Sequence, residues 1–176
     1  MTIHDSDVND EPQEKGCVSR RNVLLAGGVA SSVFLTGLPW SGWAKTSGYP
    51  RKLVGNIKKL QQDEPVDVDY PDEDSPAMLV KLGTAAGGGV GVDNDIVAFS
   101  TLCTHMGGPM DGTYNKIHKG LGPCPLHLTT FDLTRHGIMI GGHATESLLQ
   151  VMLEVEGDAI YAVGVMGLIY GRASNL

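Results

Sequence analysis

Two short segments constrain this chain more than anything else in it. Cys103-Thr104-His105-Met106-Gly107 and Cys124-Pro125-Leu126-His127 each offer one soft thiolate and one imidazole, close enough in sequence to reach a single metal centre from a single loop. Two thiolates and two imidazoles in mixed pairs form the ligand set of a two-iron, two-sulfide cluster in which His replaces Cys on one iron. The sulfur pair would hold the iron that stays ferric, and the imidazole pair the iron that accepts the electron. Neutral imidazoles leave the group less negative than four thiolates would, so its potential rises. Two other fates use the same side chains. A Cys2His2 zinc site usually sets two Cys together and then two His together, whereas both segments here are mixed. A plain disulfide between Cys103 and Cys124 is the default for an exported domain with two cysteines. His at both offsets, with Gly107 after the first pair and Pro125 inside the second, favours the cluster.

The N-terminus has the order of an address label. Met1 to Gly16 is polar and acidic, and Ser19-Arg20-Arg21-Asn22-Val23-Leu24 follows. An apolar, glycine-containing run from Val23 to Leu38 then leads to Pro39, Trp40 and Gly42-Trp43-Ala44. Charged, apolar and small-residue regions in that order spell a signal peptide with cleavage after Ala44. The paired arginines indicate the twin-arginine route, which exports folded proteins to the periplasm. A chain that carries iron and sulfide needs such a route, because an unfolded polypeptide cannot take them across a membrane. The apolar run falls short of the ~20 residues that span a bilayer, so no stable membrane span is expected. Residues 1–44 are thus the signal segment, Cys17 leaves with it, and residues 45–176 form one domain whose only thiols are Cys103 and Cys124.

That domain has room for one modest core. Val54, Ile57 and Leu60 fit a helix or a strand and a turn equally well. Val66 to Tyr70 alternates with period two and predicts a half-exposed strand, Pro71 to Pro76 a turn, and Ala77 to Leu82 a buried strand. The four glycines of residues 85–91 form a loop. Asp95 to Ser100 predicts a strand that delivers Cys103 and His105 at its end. Lys116 to Pro123, basic and glycine-rich, predicts an exposed loop, and Thr129 to Leu133 another strand. Ile138 to Ile140, Leu148 to Val155, Ala159 to Val165 and Leu168 to Tyr170 are further short β-runs. Many short strands between glycine turns indicate an all-β sandwich or partly open barrel. The net charge of −7 makes nucleic acid an unfavourable partner and suits solubility or docking to a basic redox protein.

The ligand segments resemble those of Rieske proteins. A narrower likeness runs through Tyr49-Pro50, Glu64-Pro65-Val66, Tyr70-Pro71-Asp72, Val80 to Gly83, Asp95 to Ser100, Cys103 to Gly107, Ala144-Thr145-Glu146 and Gly167 to Arg172. These resemble the small Rieske subunits of the arsenite oxidase group of molybdoenzymes, with the related iodate reductase small subunits as the alternative. The resemblance implies a Rieske-type all-β domain of short antiparallel strands, a pair of cluster-binding loops, and one [2Fe–2S] cluster on Cys103, His105, Cys124 and His127. It implies a periplasmic heterodimer in which a large subunit carries the molybdenum cofactor. This chain would relay electrons between that subunit and a cytochrome c-type carrier, with no catalytic residue of its own.

Departures from the wider Rieske pattern carry information. The respiratory-chain proteins have an extra Cys in each ligand loop, joined as a clamp; here those positions are Gly108 and Leu126. The loops then depend on packing, and the large subunit is expected to cover them. High-potential centres place Ser and Tyr two and four residues after the second His, where this chain has Thr129 and Phe131. Thr129 can donate a hydrogen bond and Phe131 cannot, so the potential is expected to be lower than in quinol-oxidising relatives. Thr113 to Pro123 looks longer than in arsenite oxidase small subunits, which brings iodate reductase into close competition. His118 and His136 are expected at the surface, while His143, after two glycines, could sit near the cluster. A Rieske protein of a quinol–cytochrome complex would keep an anchor and the clamp. A dioxygenase ferredoxin would not need twin arginines, and a zinc-stabilised module is the non-redox alternative.

Overall fold

A computed structural model of the chain describes residues 48–176, and the period-two apolar pattern there becomes ten short strands. The signal segment expected at residues 1–44, with Cys17 and the cleavage site, lies outside the described residues. Six strands form one antiparallel sheet. They are β1 (Lys52–Asn56), β2 (Val66–Asp69), β3 (Pro76–Lys81), β4 (Ile96–Ser100), β9 (Gln150–Glu156) and β10 (Ala159–Met166). Their spatial order is β1-β10-β9-β4-β3-β2. The segment around Ile57 that fitted helix or strand is strand β1 followed by a 3-10 turn at Ile57–Lys59. No helix among the described residues is long and apolar enough to cross a membrane.

The sheet curls until its two edges meet. Bulges between Leu53 and Gly55 and between Ala162 and Gly164 supply the extra twist. Gly55 then passes so close to β3 that a Cβ there would lie 2.5 Å from Leu79 Cδ2. Lys52 Nζ, on one edge strand, donates to the carbonyl of Asp69 at the end of the other, at 2.8 Å. The result is the expected partly open barrel.

Strands β3 and β4 are apolar on both faces because they separate two cores. Ala77, Leu79, Ile96 and Ala98 point into the barrel, against Val151, Leu153, Ile160 and Ala162. Met78, Val80, Val97 and Phe99 point the other way, towards Met110, Leu121, Phe131, Leu133 and both cysteines. Fully burying a side chain such as Phe99 stabilises the fold by about 1.5–3 kcal/mol.

The second core lies under a small sheet ordered β5-β6-β7-β8, made by Tyr114–Asn115, Gly120–Leu121, Thr130–Asp132 and Ile138–Gly141. The whole sheet is inserted between β4 and β9, which pair with each other through Ala98 with Val151 and Phe99 with Gln150. The exposed loop expected at Lys116 to Pro123 needs correction. Its tip is exposed, but Gly120 and Leu121 form a buried strand, because Leu121 fills the space against Phe131. The β-run expected at Leu168 to Tyr170 is not a strand either. The chain leaves β10 at Gly167, φ 100°, and runs on as an irregular tail.

One polar link pins the insert to the barrel. Asp63 accepts from Lys119 Nζ at 2.6 and 2.8 Å and from the Tyr114 hydroxyl at 2.7 Å. Hydrogen bonding from Lys119, helped by Tyr114, holds its carboxyl below the usual carboxylate range. A depressed carboxylate stabilises the fold above its unfolded value, about 3.9, and that contribution fades as pH falls through the lower folded value. Asp63 sits in left-handed backbone, φ 62°, which Asn also tolerates. Asp63→Asn is therefore expected to lose about 1.5–3 kcal/mol at neutral pH and to flatten the acid limb of a pH series of thermal melts. An unchanged melt at pH 7 would contradict the link.

Candidate metal centre

Both segments singled out in the sequence become loops of one backbone design. Beyond β4, the Met110 N–H donates to the Thr101 carbonyl and a bridge joins Leu102 to Pro109, which closes the base of the first loop. Within it the Cys103 N–H donates to the Gly108 carbonyl at 2.9 Å, and the Gly107 N–H to the Cys103 carbonyl at 2.8 Å. The second loop, between β6 and β7, repeats this. The Cys124 N–H donates to the Thr129 carbonyl at 2.8 Å, and the Leu128 N–H to the Cys124 carbonyl at 2.9 Å. Each closure needs left-handed backbone at the fifth residue, supplied by Gly107 at φ 65° and by Leu128 at φ 59°. For a leucine that conformation costs on the order of 1–3 kcal/mol, yet the residue is 68% exposed. Pro125 is also exposed, and it stiffens the turn at which the second loop reverses.

The loops approach closely because small residues line the gap. A Cβ on Gly108 would lie 2.8 Å from Cys124 Sγ and 2.9 Å from Leu126 Cδ1. A third segment closes over them, where a Cβ on Gly142 would lie 2.3 Å from the Cα of Thr129. The neighbouring His143 N–H donates to Thr129 Oγ1 at 3.1 Å, and its ring Nδ1 lies 3.1 Å from the His127 carbonyl.

The four candidate ligands are brought together in two environments. Cys103 and Cys124 are each 1% exposed and unbridged, which removes the disulfide alternative. Burial pushes the Cys103 thiol up. The adjacent Cys124 adds to the rise, while hydrogen bonds from the His105 N–H and the Thr129 hydroxyl oppose it. The imidazoles lie towards solvent, His105 half-buried and His127 exposed, with centroids 4.7 Å apart and rings at 84°. His105 Nδ1 is buried and has no hydrogen-bond partner, an orphan atom that a metal would satisfy.

Among the described residues no three Cys, His, Asp or Glu side chains converge on one ion. Four ligands divided as a buried sulfur pair and an outward nitrogen pair suit a group of two metals. In a two-iron, two-sulfide cluster each iron takes two protein ligands and the inorganic sulfides complete its shell. The side chains present fit that group. Thr129, fully buried, lies where it can donate to sulfur, and Phe131, also fully buried, packs in the core cluster that holds both thiols. His118 is exposed, and the exposed ring of His136 reaches Gln150 Oε1 at 2.8 Å, so neither takes part. His143 does lie beside the centre, its ring 5.8 Å from that of His105 and 6.2 Å from that of His127. Gly142 and Tyr170 were not anticipated as neighbours of the loops. The Gly141-Gly142 pair was the available signal for close backbone approach.

Comparison with known proteins agrees with this geometry. The Rieske [2Fe-2S] domain family matches residues 51–152. The iodate reductase subunit IdrB of Denitromonas iodatirespirans is 54% identical, over 99% of this chain and 98% of that protein. IdrB of Pseudomonas sp. (strain SCT) is 56% identical, over 90% and 84%. The fold resembles the soluble domain of Rieske protein II from Sulfolobus acidocaldarius, with a TM-score of 0.64, 24% identity, and coverage of 73% of this chain and 84% of that one. These relatives favour the iodate reductase alternative over the arsenite oxidase expected first. A buried thiol pair, an outward imidazole pair and a family match that spans them place this chain in the Rieske [2Fe–2S] family, as an electron-transfer protein.

Proposed function

We propose that this chain is the Rieske electron-transfer subunit of a periplasmic iodate-reducing molybdoenzyme. The observation that carries it is the similarity to iodate reductase subunits along nearly the whole chain. Cys103, Cys124, His105 and His127 would hold the cluster, which would supply a one-electron relay. The buried thiol pair would shield the sulfur-held side of the cluster from water, and the outward imidazole pair would face a docked protein. Thr129 supports the negative charge on Cys103. A large subunit with the molybdenum cofactor would turn over the substrate, fed by a cytochrome c-type carrier through this chain. The twin arginines, Arg20 and Arg21, support folded export.

The test is to purify the chain with its large partner from a periplasmic fraction and reduce the complex. Iodate is expected to reoxidise the cluster, and arsenite to leave an oxidised sample oxidised. Reduction by arsenite with no response to iodate would overturn the assignment in favour of arsenite oxidase.

A further inference from the structure

We infer that Tyr170 is a positioning residue for the metal centre, its ring laid across Gly107 by an anchored C-terminal tail. The inference rests on the proposed ligation by Cys103 and His105. The first ligand loop has no covalent tie to the second, since both cysteines are unbridged and the facing positions are Gly108 and Leu126. Something else must fix it. Gly107 is the residue whose N–H closes the loop onto the Cys103 carbonyl, so a shift at 107 is passed directly to Cys103. A Cβ at that position would lie 2.4 Å from Tyr170 Cδ1 and 2.6 Å from Cε1, which puts the ring in van der Waals contact with the glycine.

The ring is held from both sides. Before it, the Ile169 N–H donates to Asn175 Oδ1 at 2.8 Å, and Ile169 is buried. Asn175 Nδ2 in turn donates to the Gly167 carbonyl and to the Tyr49 hydroxyl, each at 2.7 Å. After it, Arg172 forks onto Asp72 at 2.6 and 2.7 Å, the geometry that fixes a guanidinium most firmly. Tyr170 itself remains 44% exposed. Its own burial does not account for so many anchors on a tail outside the sheet, whereas a fixed cover for Gly107 does.

Tyr170→Ala, Tyr170→Phe and Asn175→Ala are compared with wild type in the complex purified with the large partner. Bleaching of the visible absorption, the paramagnetic resonance g-values of the reduced cluster and its midpoint potential are read together. Tyr170→Ala is expected to lose its cluster about tenfold faster, the factor that ~1.4 kcal/mol commands, with displaced g-values and potential. Tyr170→Phe keeps the ring and is expected to match wild type. Asn175→Ala releases the tail at Ile169, Gly167 and Tyr49 and is expected to move in the same direction as Tyr170→Ala. Wild-type behaviour of Tyr170→Ala, or failure of Tyr170→Phe to rescue, overturns the inference. If Tyr170→Ala does not accumulate, Asn175→Ala decides: faster bleaching supports the role and a wild-type rate overturns it. Iron-free wild type overturns the cluster assignment itself, while iron-loaded wild type with unaltered variants overturns only the role of Tyr170.

Discussion

Serine in place of Cys103 or Cys124 is expected to yield a folded but colourless protein. Each iron of the proposed cluster would have only two protein ligands, so losing one thiolate leaves an iron that no other thiol among the described residues can hold. His143, the nearest spare donor, lies on the imidazole side, beside His105 and His127. Iron and acid-labile sulfide are expected to fall to background, and the resonance signal of the reduced cluster to vanish. The fold is expected to persist. A buried hydroxyl left unpaired costs about 1–3 kcal/mol, against a typical total stability of about 5–15 kcal/mol. The barrel core around Leu79, Ile96, Leu153 and Ile160 also packs without either cysteine. Full cluster content in either variant would refute the ligand assignment.

The next largest effect is expected at the second and fourth residues after His127. Thr129→Val keeps the shape of the side chain and removes the hydroxyl that can donate to the Cys103 sulfur. Phe131→Tyr adds a hydroxyl within the core cluster that contains both thiols. Donors stabilise the reduced, more negative cluster, so the first change should lower the midpoint potential and the second raise it. A hydrogen bond to a charged group is worth about 1.5–3 kcal/mol. At 59 mV per tenfold for one electron, that is roughly 65–130 mV in either direction. Phe131 is fully buried, so the added oxygen also costs about 1–3 kcal/mol of overpacking. That penalty would show as a lower melting temperature alongside the higher potential. Shifts of the same sign in a redox titration of the two variants would contradict this account of the sulfur environment.

What the sequence disclosed followed the range of each interaction. Strand β4 was legible because five successive apolar or small residues end at a ligand segment. The ligands themselves were legible because their spacing is set by one metal group within two loops. The small sheet was not. Tyr114–Asn115 and Gly120–Leu121 are two residues each, too short for an alternation to register, and only the partner strand at Phe131 makes them a sheet. The apolar run at Leu168 to Tyr170 misled for a related reason. Its three side chains serve different ends: Ile169 is buried beside Asn175, Leu168 is exposed, and Tyr170 lies against Gly107. The contact between residues 170 and 107 leaves no local pattern at all. The order of the apolar residues records neighbours along the chain and says little of what folds back from sixty positions away.

The pairing of β4 with β9 across the inserted sheet has a consequence for how such a chain can change. Because the two ends of the insert emerge side by side, the electron-carrying part behaves as a cassette mounted on a finished frame. Residues added at the β5–β6 turn, between its ligand loops, would lengthen a hairpin tip and leave every barrel register intact. A frame of this kind can serve carriers of different potential and different docking partners, since retuning the cassette asks nothing of the strands that support it.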